Sequence, residues 1–346
     1  MESKPLVSIL VPNFNYGRYL DACLGSALDQ TYENLQVVFV DNHSTDDSYD
    51  IAMEYRARYP ERLRIYRNDQ NIGGSQNHYK AYTQMDPRTR CSIYLSSDDL
   101  FHPTLVQRAM DLMNQHPSVG FVILHRSAID EQGRVTEEVP FYNCNCVIPS
   151  TGQMEVFMMA GVGVSTQCFR NLRAELSGPV RGYRFDVAGD WYSNFCLACV
   201  SDMGYIRDPL CLYRTHATNV TTGAIKNLTN SVEHILLIHA FHRMAQGLGR
   251  PTVAARLAPA LEKLGSMCLR YCTQMLQEDD LHTATRYLHL ATVLRPDSPD
   301  DPAWNTLFRL TRCDAAERRQ GLAEFLAARP QKRLVSYDPP AGSIIL

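Results

Sequence analysis

Two adjacent carboxylates, Asp98 and Asp99, follow an apolar run that ends at Leu95. Like charges side by side at the end of a strand repel each other, so the pair lies in open water or is offset by a cation. Mg²⁺ typically takes one or two protein carboxylates and completes its octahedron with water and substrate phosphates. The pair therefore predicts a divalent-cation site. The alternative is that both are solvated residues ahead of a helix that starts near Pro103.

Polar turn residues also follow the other predicted strands. They are Pro12, Asn13 and Asn15 after the first strand, Asp41 after the second, and Asn71, Gly73, Gly74 and Asn77 after the third. Ligands of parallel sheets bind at the carboxyl ends of the strands, so these turns and the two aspartates predict one shared cleft. Neither a GxGxxG turn after the first strand nor a P-loop sequence is present. This favours a nucleotide held by side chains together with a metal ion.

Alternating apolar strands and amphipathic helices over the first 125 residues must position that cleft. The strand-like runs are Leu6–Val11, Leu35–Val40, Leu63–Arg67, Cys91–Leu95 and Gly120–His125. Strands that are apolar throughout and separated by helices are typical of a parallel sheet covered on both faces. The sequence thus predicts an α/β fold with a Rossmann-like, mostly parallel sheet sandwiched by helices.

The strand–helix alternation ends near residue 126, and the pattern after Lys226 is helical to about Ala328. Between these positions the sequence predicts a hairpin around Gly133, short helices, and a strand over Leu210–Arg214. We therefore expect an α/β domain, a helical C-terminal region and a loose tail. Their ranges are 1–225 (with halves 1–125 and 126–225), 226–330 and 331–346.

The composition is that of a soluble globular protein, with 45% hydrophobic and 21% charged residues over 346 positions. A net charge of -3 argues against a nucleic-acid partner. No run approaches the roughly eighteen apolar residues of a membrane span, and the N-terminus lacks the features of a signal peptide. These features predict a cytoplasmic protein. A small basic excess after residue 243 leaves open a weak, peripheral contact with an anionic membrane.

The eleven cysteines predict reduced, buried thiols rather than a redox or zinc site. Cys196 and Cys199 form a CxxC, but inside a helical pattern, whereas a redox CxxC begins a helix. A zinc site would need a second pair of ligands.

Four segments in order carry a family resemblance: "SILVPNFNYGRYL", "VVFVDNHSTDDS", "NIGGSQNHYKAY" and "YLSSDDLF". They resemble the successive motifs of the family 2 glycosyltransferases, which have the GT-A fold and transfer sugars with inversion. The resemblance covers residues 6 to about 220. It implies a nucleotide-sugar donor, a glycan or lipid-linked acceptor, and a hexosyltransferase of cell-surface polysaccharide synthesis, with UDP as the default nucleotide.

The resemblance implies roles for the residues of the nucleoside pocket. Pro12, Asn13 and Phe14 would line it, Asp41 would hydrogen-bond the base or ribose, and Asn71 would lie near the base edge. An Asx turn is the alternative role for Asp41.

The resemblance also implies which residues bind the metal ion and which one acts as the catalytic base. Asp98 and Asp99 match the motif that binds the diphosphate through Mg²⁺ or Mn²⁺, so Asp98 would serve both nucleotide and metal. Asp190 of "AGDWYSNF" matches the catalytic base, with Asp186 as the fallback, and a helix cap is the alternative role for Asp190. His216 of "YRTHATN" would contact the metal or the diphosphate, or make only a structural hydrogen bond.

Three of the motifs depart from the family pattern. Asn42-His43 stand where most members have Asp-Gly, Ser96 stands where many have an aspartate, and Gly189 precedes Asp190 where Glu is common. The last departure makes the base assignment weaker than the metal assignment.

The implied chemistry is a single displacement. An acceptor hydroxyl attacks the anomeric carbon while the nucleoside diphosphate leaves from the opposite face, and a carboxylate removes the hydroxyl proton. The alternatives are a nucleotidyltransferase, which a basic Gly-rich loop after the first strand would favour, and an inactive nucleotide-sugar-binding protein. The helical region after Lys226 is expected to cover the acceptor side, to form a homodimer, or to contact a membrane surface.

Overall fold

The computed structural model describes residues 4–159, 168–172, 187–215, 220–329 and 335–346. Within these ranges, one mixed sheet of eleven strands forms the centre of an α/β domain. In chain order the strands are β1 (Leu6–Asn13), β2 (Leu35–Asp41), β3 (Leu63–Arg67), β4 (Thr89–Tyr94), β5 (Leu100–Phe101), β6 (Val119–Ile129), β7 (Val135–Thr136), β8 (Cys146–Ile148), β9 (Cys168–Asn171), β10 (Asp202–Arg214) and β11 (Ile344–Ile345).

The described helices fall into two groups. Those of the sheet domain are α1 (Gly17–Leu28), α2 (Ser48–Arg58), α3 (Gly74–Thr83), α4 (Leu105–Gln115), α5 (Ser150–Met158) and α6 (Gly189–Ala198). Those of the helical region are α7 (Val220–Lys226), α8 (Thr229–Gly247), α9 (Pro251–Ala254), α10 (Leu257–Gln277), α11 (Leu281–Leu294), α12 (Pro302–Leu310) and α13 (Ala315–Ala327). The predicted α/β fold followed by a helical region is confirmed.

Parallel pairing of the first four strands explains why their sequences are apolar throughout. β1 pairs in parallel with β2 and β4, and β2 pairs in parallel with β3. Leu20 of α1 belongs to the apolar cluster on one face, while Ala81 of α3 packs with Leu10 and Val38 on the other. Since both faces are covered, all seven residues of β2 are buried.

Strand β10 is longer than the sequence indicates. The prediction of a strand beginning at Leu210 is wrong at its start, because β10 begins at Asp202. The exposed residues 207–209, which include Pro209, interrupt the apolar pattern, and the register with β6 shifts between Ile206 and Cys211. A bulge of this kind bends a strand without ending it.

The helical region packs directly on the sheet domain. One buried cluster joins Phe195 of α6 to Phe241 of α8 and Leu264 of α10. The two phenylalanine rings stack with centroids 3.8 Å apart.

Among the helices of the described residues, none combines the length and the hydropathy that a membrane span requires.

The C-terminal residues 335–346 are an edge strand and its approach rather than a loose tail. Strand β11 pairs antiparallel with β8, and Tyr337 forms a bridge with Tyr142. The side chain of Asn143 donates to Asp338 over 2.7 Å. The sequence prediction for these residues is therefore wrong, because Pro339, Pro340 and Gly342 shape a turn that brings the chain back to an open sheet edge.

Candidate active site

The carboxyl ends of β1, β2 and β3 meet at one edge of the sheet. Asn13, Asp41 and Arg67 are register partners across these three strands. The turn that carries Asp98 joins this edge, because the Ser97 hydroxyl donates to the Pro12 carbonyl over 2.9 Å. The structure thus brings together the residues that the sequence placed in one cleft.

Asp41 lies fully buried at the centre of this edge. Its Oδ1 accepts from Asn13 Nδ2 over 3.2 Å, and its Oδ2 accepts from the Ser44 backbone N–H over 3.1 Å. Arg67 Nε lies 3.2 Å from the same Oδ2. In this structure Asp41 therefore holds the ends of β1, β2 and β3 together, and a ligand reaches its carboxylate only if one of these partners gives way.

The loops after β1 and β2 are joined by hydrogen bonds. The Ser44 hydroxyl accepts from the Asn15 backbone N–H over 2.9 Å, and Asn15 Oδ1 accepts from the Thr45 N–H over 2.8 Å. Asn15 has a left-handed φ of 57°, which asparagine tolerates better than most residues. Phe14 remains 39% exposed beside these loops. These two loops are thus held in one arrangement, with the exposed Phe14 ring beside them.

An amide network connects the second and third loops. Asn42 Nδ2 donates to Asn71 Oδ1 over 2.8 Å, and Asn42 Oδ1 accepts from Asn68 over 2.9 Å. Asn77 Nδ2 in turn donates to the Val40 carbonyl over 3.1 Å. Asn71 itself is exposed. Sequence reasoning missed Asn42 and Asn68 as the residues that join these loops. Their only signal was that Asn42 follows Asp41 and that Asn68 follows the third strand.

Asp98 and Asp99 lie in the turn between β4 and β5. Asp99 is 2% exposed, and Asp98 is half-buried. Burial, and then the charge of Asp98, raise the pKa of Asp99 to about 8. The backbone N–H of Arg214 donates to Asp99 Oδ1 over 2.8 Å and partly opposes that rise. A buried carboxylate held beside a second one is typical of a functional site.

Arg214 and Tyr19 surround the aspartate pair, and sequence reasoning missed both. Arg214 Nε donates to the Asp98 carbonyl over 2.8 Å, and its guanidinium carbon lies 4.4 Å from the centroid of the Tyr19 ring. The guanidinium carbon of Arg18 lies 4.6 Å from the same centroid. Two arginines therefore stack on one ring next to the carboxylates, which favours binding of an anionic ligand there.

The donor set fits a divalent cation that is shared with a substrate phosphate. In the described ranges, no group of three or more His, Cys, Asp or Glu side chains could hold a metal alone. Two carboxylates are what Mg²⁺ uses when phosphates and water supply its other ligands. Of the predicted metal ligands, Asp98 and Asp99 therefore lie where they could bind one cation together. His216 lies outside the described residues.

Asp190 is the second residue of α6 and not its cap. Its Oδ1 accepts from the Trp191 N–H over 2.7 Å. Burial raises the pKa of Asp190, and the charges of Arg170 and Arg126 oppose this. Because Arg126 also lowers the pKa of Asp99, both carboxyl groups lie within electrostatic range of one guanidinium. The fallback base, Asp186, lies outside the described residues.

Replacing Arg67 with methionine is expected to destabilise the protein by about 1–3 kcal/mol, because the fully buried Asp41 carboxylate loses one of its donors. Arg67 is 41% exposed, so water screens the pair and the loss stays below that of a fully buried ion pair. Urea unfolding measures this change. Calorimetry is expected to show weaker nucleotide binding as well.

The matched control is Arg64→Met on the same strand. Arg64 lies 3.2 Å from Asp86, but Asp86 keeps a second partner in Arg88 at 2.8 Å. A smaller loss of stability is therefore expected. If both variants lost the same amount, Arg67 would not have the structural role assigned to it.

Comparison with known proteins decides the family. Residues 8–165 match the profile of glycosyl transferase family 2. This part of the chain is therefore a family 2 glycosyl transferase domain. The match favours sugar transfer over nucleotidyl transfer, and it agrees with the four motifs at the sheet edge.

Relatives and solved structures agree with this assignment. An uncharacterized glycosyltransferase of Nostoc sp. is 25% identical over 220 residues, covering 62% of this chain and 66% of that protein. Chondroitin synthase of Escherichia coli is 32% identical over 134 residues, which are 38% of this chain and 18% of that protein. The structure of S. aureus TarS 1-349 in complex with UDP-GlcNAc has a TM-score of 0.62 at 15% identity, covering 91% of this chain and 92% of that one.

The chain spans less than two thirds of the length of either curated relative. The likeness to TarS shows the GT-A fold.

Proposed function

We propose that this glycosyltransferase is a metal-dependent, inverting hexosyltransferase that uses a nucleoside-diphosphate sugar. The observation that carries the proposal is the buried Asp99 beside Asp98, at the sheet edge that Asn13 and Asp41 share. UDP is the proposed nucleotide, and a structure of the same fold holds UDP-GlcNAc. The acceptor is a hydroxyl of a glycan or of a lipid-linked sugar.

Cell-surface polysaccharide synthesis is the proposed context. Two curated relatives are named for polysaccharides: chondroitin synthase, and TuaG of Bacillus subtilis, a putative teichuronic acid biosynthesis glycosyltransferase that is 29% identical over 110 residues. Those residues are 32% of this chain and 42% of TuaG. Peripheral membrane contact and homodimerisation through the helical region stay predictions.

The donor half of the site binds and orients the nucleotide. The loops held by Asp41 and Asn42 form a preorganised wall for the nucleoside, with Phe14 exposed at its rim. Asp98 and Asp99 would hold Mg²⁺ or Mn²⁺ against the diphosphate. When bound, that cation supplies Lewis-acid stabilisation of the leaving group's negative charge. Arg18 and Arg214 add positive charge on the adjacent tyrosine ring.

The acceptor half removes a proton. Asp190 accepts the proton of the acceptor hydroxyl as its oxygen attacks the anomeric carbon, and the nucleoside diphosphate leaves from the opposite face. A raised pKa suits this role, because a base works best when its pKa approaches the working pH. One displacement with one base inverts the anomeric centre.

A donor screen tests the proposal. The protein is incubated with UDP-, GDP-, dTDP- and CDP-linked hexoses, Mn²⁺ and a set of oligosaccharide acceptors, and release of the free nucleoside diphosphate is measured. We expect release from one nucleotide class and a product with inverted anomeric configuration. A product that retains the donor's configuration, or release of pyrophosphate from a nucleoside triphosphate and a sugar phosphate, would contradict it.

A further inference from the structure

We propose that Glu233, in the helical region, is a positioning residue for the catalytic base. Its carboxylate fixes the backbone that leads into α6, the helix whose second residue is Asp190. The inference rests on the proposed role of Asp190. It gives the helical region a part in catalysis that no sequence motif indicates.

Two hydrogen bonds carry the proposal. Glu233 Oε2 accepts from the backbone N–H of Val187 over 3.0 Å and from that of Ala188 over 2.9 Å. Glu233 is only 7% exposed. It lies on α8, which is far from α6 along the sequence. A buried carboxylate with two backbone donors makes strong, charge-assisted hydrogen bonds.

The cap position of helix α6 has no side-chain acceptor of its own, and Glu233 supplies one beside it. The cap position is Ala188, whose side chain cannot accept a hydrogen bond. The first N–H groups of a helix lack partners inside the helix and attract an anion. Glu233 satisfies two N–H groups immediately before that first turn, and Asp190 lies two residues further along.

The packing around Glu233 extends the support along α6. The Trp191 ring meets the His234 ring edge to face at 5.0 Å, and Phe195 stacks on Phe241. Burial lowers the pKa of His234 to about 4, so this neighbour is uncharged at neutral pH. Helix α8 thus holds α6 through apolar rings along its length and through one carboxylate at its start.

The expected consequence is a loss of turnover rather than of donor binding. A displacement of about 1 Å at a reacting group costs about 10²-fold in rate. We expect Glu233→Ala to lower kcat by about 10- to 100-fold. The donor KM and the affinity for UDP should stay at the wild-type values, because Asp41, Asp98 and Asp99 lie in the other half of the site.

Two further variants separate positioning from general structural support. Glu233→Gln keeps a carbonyl oxygen that accepts the same two hydrogen bonds, so it should keep most of the turnover. Glu155→Ala is the matched control: Glu155 also joins the two regions, by accepting from Arg256 over 2.8 Å, but it lies on α5. Its kcat should equal that of the wild type.

The experiment measures kcat, donor KM and UDP affinity for these variants and for Asp190→Asn. Turnover of a folded Glu233→Ala protein equal to that of the wild type, or an equal loss in Glu155→Ala, would overturn the proposal. If Glu233→Ala does not fold, Glu233→Asp replaces it in the test. The shorter side chain keeps the charge but moves the carboxylate oxygen away from the N–H groups of Val187 and Ala188. Wild-type turnover in that variant would then overturn it.

The double variant Asp190→Asn/Glu233→Ala distinguishes the two proposals. If Glu233 acts through Asp190, the double variant is no slower than Asp190→Asn alone. If Asp190→Asn keeps full turnover, the base assignment fails whatever Glu233 does. A double variant slower than Asp190→Asn by the full factor of Glu233→Ala would show that Glu233 acts independently of the base.

Discussion

Replacing Asp99 with asparagine is expected to lower sugar transfer by about 10³-fold, because a cation held against the leaving diphosphate contributes several kcal/mol to the transition state. The same change should leave the ligand-free protein as stable as the wild type or more stable. Asp99 is 2% exposed and lies beside Asp98, so its charge disfavours the folded state. Transfer is followed by nucleotide release, and stability by the melting temperature.

The control for this variant is Asp111→Asn, on the exposed face of α4. It is the same Asp-to-Asn substitution away from the sheet edge, and it should change neither activity nor the melting temperature. An Asp99→Asn protein that is folded and fully active would contradict the metal site. An Asp99→Asn protein that melts far below the wild type would show that Asp99 stabilises the fold, which contradicts the expectation above.

The second large effect is expected for Asp190→Asn. Loss of a general base lowers kcat by about 10²–10⁴-fold, and UDP binding should be unchanged because the donor loops are intact. Asparagine keeps an oxygen that can accept the Trp191 N–H, so the start of α6 should be preserved. The measurement is kcat with a saturating donor and acceptor, together with calorimetric titration of UDP.

The pH profile gives the same assignment a second test. A base must be ionised, so kcat should rise with pH as Asp190 loses its proton. Burial raises the pKa of Asp190, which places this rise above the range of an ordinary aspartate. Asp190→Asn should lose the rise. A residual activity with the wild-type pH dependence would assign the base to another group.

The sequence predicted well which polar residues meet at one edge of the sheet, because local chemistry decides where each strand ends. Asn13, Asp41 and Asp98 each follow a strand whose apolar pattern is unambiguous, and parallel pairing then brings their ends to one edge. The edge also needs residues from distant parts of the chain. Arg214 reaches the aspartate turn from the end of β10, and only the pairing of β10 with β5 and β6 places it there.

The start of α6 and the edge strand β11 could not be predicted from the sequence, for a physical reason. The start of α6 is fixed by Glu233, which lies more than forty positions along the chain and whose local pattern indicates only a helix. The edge strand β11 likewise has a Pro- and Gly-rich approach that suggests a loop, and its partner β8 decides its structure. In both cases tertiary contacts, rather than local propensity, determine the conformation.

Binding of a nucleoside diphosphate with and without a metal is the sharpest test of the proposed site. The melting temperature is measured with UDP, GDP, dTDP or CDP, each with Mn²⁺, Mg²⁺ or EDTA, for the wild type and for Asp99→Asn. Binding to the folded state alone stabilises it by mass action, by about 2.7 kcal/mol at one hundred times Kd. We expect a rise with one nucleotide, UDP, that needs the metal and is lost in Asp99→Asn. No rise with any nucleotide, or a rise that is indifferent to EDTA, would contradict it.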